Sequence, residues 1–161
     1  MGDSPERLAL RLQGEGEKTA AFFQGLTPDE WRLQIYESGS SWSVRQILAH
    51  FVSTELGFAD LIDNILSGGA GSPEDFDIDR YNERHVAKLQ SVEITTLIGQ
   101  FLAARAENIQ RVQAMQPADL ERQGRHPFLG VVPLEGIVKL LYRHNQIHLR
   151  DIRRAMTPSQ P

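Results

Sequence analysis

Residues Ser43–Leu66 have the sequence SVRQILAHFVSTELGFADLIDNIL, and this stretch decides the fold class of the 161-residue chain. Its apolar residues recur at steps of three and four, which is the spacing of an amphipathic helix rather than of a strand. Ser43 followed by Gln46 is a capping-box pattern at the start. We therefore predict one long helix to about Leu66, with one apolar side formed by Val44, Ile47, Leu48, Phe51, Phe58, Ile62 and Ile65.

Three further stretches show the same periodicity on either side of this helix. We predict a first helix from Ser4-Pro5 to about Gly25, a third from Ile94 to Met115 closed by Pro117, and a fourth that opens at Pro133. We also predict an extra turn over residues 27–31 and a short helix of roughly 80–89 in the crossover between helices two and three. Residues 121–132 are predicted to form a loop. These elements predict an all-α four-helix bundle with one short extra helix, in a single domain over residues 1–161.

The composition limits the partners and the chemistry. Seventeen Lys and Arg against 21 Asp and Glu give a formal charge of −4, so the chain has no overall attraction for nucleic acid or anionic lipid. The absence of Cys excludes disulfides, Cys-ligated zinc and a thiol nucleophile, so a metal would be held by His, Asp or Glu. We expect neither an apolar leader nor a membrane span, because charged residues interrupt the apolar stretches. We predict a cytoplasmic protein that acts on a small molecule and binds neither nucleic acid nor membrane.

Three of the five histidines stand where a bundle could bring them together. His144 and His148 are one helical turn apart on the inward side of the last helix, the spacing of a bidentate metal clamp. His50 lies on the flank of the apolar side of helix two, so it would complete the set if helices two and four adjoin. The alternative is three ordinary, partly buried histidines that are hydrogen-bonded to carbonyl groups. The residues alone leave both interpretations open.

Glu55 lies in the middle of the apolar side of helix two, where an unpaired carboxylate would be costly. Arg105 and Asn108 interrupt the corresponding side of helix three. One interpretation is a buried Glu55–Arg105 structural pair. The other makes Glu55 a catalytic residue, as a fourth ligand or as a general base beside bound water.

Three remaining ionisable residues receive simpler predictions. Asp151 follows His148 by three positions, so it either orients an imidazole or is a solvated charge near the helix end. His85 and His126 are predicted to lie at the surface. None of the three is predicted to be a ligand.

Two motifs resemble those of a known family. Trp42–His50, WSVRQILAH, resembles the opening of helix two in the DinB/YfiT-like metalloenzyme superfamily, and Tyr142–His148, YRHNQIH, looks like the H-x3-H of its last helix. The resemblance continues through Asp77–Asn82, before the short helix. It implies a bundle with down-up-up-down connections, a homodimer, and a divalent transition metal, zinc or nickel, at the positions of His50, His144 and His148.

The reaction is less specified than the site, because the family contains thiol-dependent transferases and isomerases as well as hydrolases. The resemblance implies a metal-dependent transferase or hydrolase acting on a small electrophile, with any thiol supplied by a low-molecular-weight cofactor such as mycothiol or bacillithiol. The alternative is a non-catalytic, stress-associated bundle for binding or dimerisation, with a structural or vestigial metal site. Leu149-Arg150-Asp151 stands where several relatives have a Gly-Gln pair, so no substrate contact is carried over.

Overall fold

The computed structural model describes residues 2–37 and 39–157. Four long helices form the bundle, and a short hairpin precedes the last of them. Met1, Ser38 and residues 158–161, which the single-domain prediction includes, lie outside the described residues. In chain order the elements are α1 (Pro5–Gln24), α2 (Pro28–Trp31), α3 (Val44–Leu66), α4 (Ile78–Lys88), α5 (Ile94–Gln113), a 3₁₀ turn (Pro117–Glu121), β1 (Gln123–His126), β2 (Gly130–Pro133) and α6 (Leu134–Met156).

Capping residues explain where α1 and α3 begin. Ser43 accepts a hydrogen bond from the backbone N–H of Gln46, and the Gln46 side chain accepts one from the Ser43 backbone, so the predicted capping box is present. Ser4 caps α1 through a single bond, in which its hydroxyl oxygen accepts from the backbone N–H of Arg7. Such caps satisfy backbone donors that a helix leaves without an internal partner.

The packing of α3 fixes the side of the bundle on which the predicted ligands meet. This helix packs against both α5 and α6. Phe51 contacts Phe101, and further along both helices Asp63 contacts Arg111. Because residue numbers increase in the same direction in the two helices, α3 and α5 run parallel. Because α3 also packs against α6, His50 lies on a helix that adjoins the last one, as the predicted set of three histidines requires.

The first and last helices also run parallel. The backbone N–H of Asp3 donates to Glu135 at one end, and Arg153 lies over the Phe22 ring at the other. Helix α1 contacts α5 and α6, so α1 and α3 occupy diagonal corners. The directions agree with the down-up-up-down connections that the family resemblance implies.

A polar layer crosses the middle of the bundle and divides its apolar interior into two clusters. One cluster surrounds Phe51, and the other surrounds Leu141. Each bundle helix contributes to both clusters and has a polar or small residue between them: Gly16, Glu55, Arg105 and Asn145. A Cβ on Gly16 would lie 3.0 Å from Cγ of Arg105, so the glycine makes room for the long side chain.

The prediction of a loop over 121–132 was wrong, because part of this segment forms an antiparallel hairpin of β1 and β2. Arg125 bonds through its backbone N–H and C=O to Ala70 and Ser72, and Gly124 lies against Ile65 of α3. The strands are too short to show a period-two pattern in the sequence. None of the helices in the described ranges combines the length and apolar character that crossing a membrane requires.

Candidate metal centre

The three predicted ligands converge at the contact between α3 and α6. His50 Nε2 lies 2.8 Å from His144 Nε2, which in turn lies 3.1 Å from His148 Nε2. One ligand atom from each ring lies within 4.8 Å of the others. The arrangement brings together one imidazole from α3 and two from consecutive turns of α6.

These separations fit a metal-binding set. With metal–nitrogen bonds of about 2.0–2.1 Å, neighbouring ligand nitrogens in tetrahedral or octahedral geometry lie roughly 2.9–3.4 Å apart. Of the two separations, 3.1 Å lies inside that range and 2.8 Å lies just below it. Three neutral imidazoles are also a donor set that divalent transition metals accept, and they leave coordination positions for water or a substrate.

Burial keeps these rings neutral. It is the main cause that lowers the pKa of His50 to about 3, with a smaller contribution from His148. Burial likewise lowers the pKa of His148 to about 4, although Asp151 partly opposes it. The pKa of His144 is lowered well below its usual value by burial and by the neighbouring rings. All three therefore have lone pairs to offer at neutral pH.

Tyr36 fixes the tautomer of His148. Its hydroxyl lies 2.7 Å from Asp151 Oδ2 and 2.7 Å from His148 Nδ1. A carboxylate only accepts, so the phenol donates its one hydrogen to Asp151 and accepts from the Nδ1–H of His148. The lone pair of His148 is then on Nε2, facing the other two rings.

Asp151 thus orients an imidazole, as one of the two interpretations held, but it acts through Tyr36. Burial alone would raise the pKa of Asp151, but hydrogen bonds from Tyr36 and Arg150 outweigh it and lower that pKa. The carboxylate consequently stays charged and continues to polarise the phenol. Sequence reasoning missed Tyr36, which precedes α3 and is separated from His148 by 112 positions.

The other two rings are held differently. Trp42 packs on the His50 ring with centroids 4.6 Å apart, and Thr54 Oγ1 lies 3.5 Å from His50 Nδ1. His144 Nδ1 is buried and has no hydrogen-bond partner in the described part of the chain.

A cavity of about 590 Å³ opens beside His50 and His144. Its walls come from α3, α4, the hairpin and α6. His126, which ends β1, is one of the lining residues and is only 7% exposed. The prediction that His126 lies at the surface was therefore wrong, and the cause is the unforeseen hairpin that folds it inward. His85 is half-buried and stacks on Tyr81.

Glu55 lies away from this cavity, in the polar layer. Arg105 donates to Glu55 Oε1 from Nε at 3.0 Å and also from Nη2, and Asn108 Nδ2 donates to Oε2 at 2.9 Å. The carboxylate is only 1% exposed. The buried ion pair that was one of the two interpretations is present. A catalytic role of Glu55 stays a prediction, and these contacts favour the structural one.

Comparison with known proteins places these features in a family. The family model of the DinB superfamily matches residues 11–152. The structure of YfiT from Bacillus subtilis, described as "a probable metal-dependent hydrolase with an unusual four-helix bundle topology", superposes with a TM-score of 0.74 at 13% identity, covering 94% of this chain and 85% of YfiT.

A second similar structure is a mycothiol-dependent maleylpyruvate isomerase, with a TM-score of 0.76 and 12% identity, covering 93% of this chain. The present chain spans 61% of that isomerase. A histidine-to-alanine variant of such an isomerase gives a TM-score of 0.75 at 12% identity, covering 93% of this chain and 61% of the variant. No curated protein sequence matches this chain. At these identities the structural likeness concerns the fold.

Proposed function

This chain belongs to the DinB superfamily, and from that premise we propose that it is a metal-dependent enzyme acting on a small electrophilic substrate. The observation that carries the proposal is the convergence of three neutral imidazoles beside a cavity large enough for a small molecule. A purely structural metal site is usually closed by four protein ligands, whereas a catalytic site keeps a position open.

His50, His144 and His148 would hold the metal, and a divalent ion such as zinc or nickel suits three imidazoles. A metal in such a site lowers the pKa of a bound water or thiol and so supplies a nucleophile at neutral pH. Tyr36 and Asp151 keep the lone pair of His148 directed at the site. Burial among Trp42 and the bundle core holds His50 in place.

Two reaction types are compatible with this site, and they differ in the nucleophile. As a hydrolase the enzyme would activate water, and as a transferase it would activate a thiol. Because the chain contains no Cys, a thiol must come from a separate low-molecular-weight cofactor. The structures that resemble this chain include one of each type. YfiT is described as a probable metal-dependent hydrolase, and the maleylpyruvate isomerase is described as mycothiol-dependent.

Elemental analysis of the purified protein tests the metal site. We expect about one equivalent of a transition metal per chain in the parent, and a loss of that metal in His148→Ala. His85→Ala is the matched control, because His85 lies outside the three-histidine cluster and should leave the metal content unchanged. A metal content that is zero in the parent, or equal in parent and His148→Ala, contradicts the proposal.

The non-catalytic alternative predicts a different response to metal removal. A structural metal contributes folding energy directly, so its removal should unfold the bundle or lower its melting temperature sharply. For a catalytic site we expect only the stabilisation that ligand mass action provides, which grows with free metal concentration. The homodimer and the cytoplasmic location stay predictions; sedimentation analysis of the purified chain tests the former.

A further inference from the structure

His126 is held in a single tautomer by the tip of the hairpin. Its Nδ1 lies 3.0 Å from the backbone N of Phe128 and 3.2 Å from the backbone N of Leu129, and both of these groups donate. A nitrogen that accepts two hydrogen bonds carries a lone pair, so the ring hydrogen is on Nε2. The hairpin thus defines which atom of the ring can donate.

The same ring stays uncharged at neutral pH. Burial lowers the pKa of His126 to about 4. Within residues 2–37 and 39–157, no side chain or backbone group pairs with its Nε2. The side chain is nevertheless 93% buried and forms part of the cavity wall. Nε2 itself is not fully buried, since among the described residues the buried side-chain polar atoms without a partner are Asn108 Oδ1 and His144 Nδ1. It therefore reaches the open cavity, where its N–H can donate to an acceptor brought by a ligand.

The remaining cavity wall restricts the charge of that ligand. Apolar contact is provided by Phe58, Leu61, Phe76, Ile78, Leu140 and Ile147. The charged residues of the wall are Asp60 and Asp79, and the lining residues include neither Lys nor Arg. An anion placed against this part of the wall, away from the three histidines, would lose its hydration, meet two carboxylates and find no Lys or Arg. This part of the cavity therefore disfavours carboxylates and phosphates.

We propose that the cavity binds an uncharged, mainly apolar small molecule through an oxygen acceptor such as a carbonyl, and that His126 Nε2–H is the donor that orients it. The proposal rests on the proposed function for the chemistry that follows binding and names the substrate class of that same site. With its oxygen on His126, the bound molecule would lie in the cavity whose wall also includes His50 and His144. His126 is thus a substrate-binding residue separate from the metal-ligand set.

Three probes of similar shape test the charge and acceptor requirements in metal-free, chelator-treated protein. Benzamide has a neutral carbonyl, benzoate is an anion, and toluene has no acceptor. We expect NMR titrations to give the tightest binding for benzamide, binding about two- to tenfold weaker for toluene because one hydrogen bond is missing, and binding more than tenfold weaker for benzoate. Benzoate binding as tightly as benzamide, or no benzamide binding at the cavity, overturns the proposal.

Two variants distinguish loss of the Nε2–H donor of His126 from loss of the Nδ1 acceptor that stabilises the hairpin. In His126→Asn the side-chain oxygen stands near the position of Nδ1 and accepts from the hairpin amides, but no group reaches the position of Nε2. We expect this variant to bind benzamide about two- to tenfold more weakly and toluene unchanged. His126→Gln places an N–H₂ near the Nε2 position and should retain the preference for benzamide over toluene.

A direct measurement covers the case in which a variant disturbs the hairpin. Backbone amide resonances of Phe128 and Leu129 report whether the hairpin is intact. In the parent protein, ¹⁵N resonances of the His126 ring should show a protonated Nε2 and an unprotonated Nδ1; the opposite tautomer overturns the proposal whatever the variants do. Because these measurements need no metal, failure of the metal-site experiment would leave their outcome unchanged, and the two proposals can fail separately.

Discussion

Replacement of Tyr36 by Phe should weaken metal binding by about 10- to 100-fold while the bundle stays folded. The hydroxyl that this change removes joins His148 Nδ1 to Asp151 Oδ2 through two contacts of 2.7 Å. The hydrogen bond to the ring alone is worth about 1 kcal/mol, or roughly fivefold in affinity. The carboxylate behind the phenol strengthens that bond, and without both groups His148 loses its fixed tautomer. The combined effect accounts for the larger factor.

Competition with a chromophoric chelator measures the affinity, with zinc as the probe ion. Tyr81→Phe is the matched control, since Tyr81 lines the cavity but does not contact the three histidines, and it should bind zinc as the parent does. Asp151→Asn removes the charge but keeps an acceptor for the phenol, so we expect a smaller loss than in Tyr36→Phe. If Tyr36→Phe and Tyr81→Phe bound zinc equally well, the argument that Tyr36 orients His148 would be refuted.

Three further predictions concern stability, each measured by denaturant unfolding at several pH values. Arg105→Met should destabilise the fold by about 3–5 kcal/mol, because it leaves the buried Glu55 carboxylate without its partner, and Glu55→Gln added to it should recover part of that loss. Gly71→Ala should destabilise by more than about 1 kcal/mol, since its φ of +91° is unfavourable for Ala and the new Cβ would collide with the backbone N of Arg125; equal stability of parent and variant would contradict this. The pKa of His126 is about 4 in the folded protein, below its usual value of 6.5. Between pH 6.5 and pH 4 the unfolded state therefore gains a proton at this residue that the folded state does not, so the free energy of unfolding should fall as the pH drops through this interval. His126→Asn should show a shallower fall over that interval, and an unchanged slope would contradict the assignment.

The helices were predictable because their signals are local. Ser43 and Gln46 lie within one turn of each other, and their capping box forms whatever the rest of the chain does. His144 and His148 share an inward side because of the helical repeat alone. The position of His50 beside them needed one more fact, the contact between α3 and α6, which the family resemblance implied and the fold confirms.

The parts that sequence reasoning missed depend on contacts between distant residues. Nothing near Tyr36 indicates that its hydroxyl meets α6. The hairpin is stabilised by its fit against Ala70, Ser72 and Ile65 rather than by a pattern in its own residues. His126 was consequently assigned to the surface. For Glu55 the sequence correctly indicated that the carboxylate needs a partner, but the choice between an ion pair and a catalytic role required the contacts themselves.

The separation of the three histidines along the chain sets the order in which the cluster can assemble. His50 and His144 are 94 positions apart, and α4, α5 and the hairpin lie between them. During synthesis His50 leaves the ribosome well before the two histidines of α6, so the set of three nitrogens is incomplete until that helix has been made. The cluster forms only when α6 packs against α3, so a transition metal held by all three histidines would mark the chains in which that contact has been made.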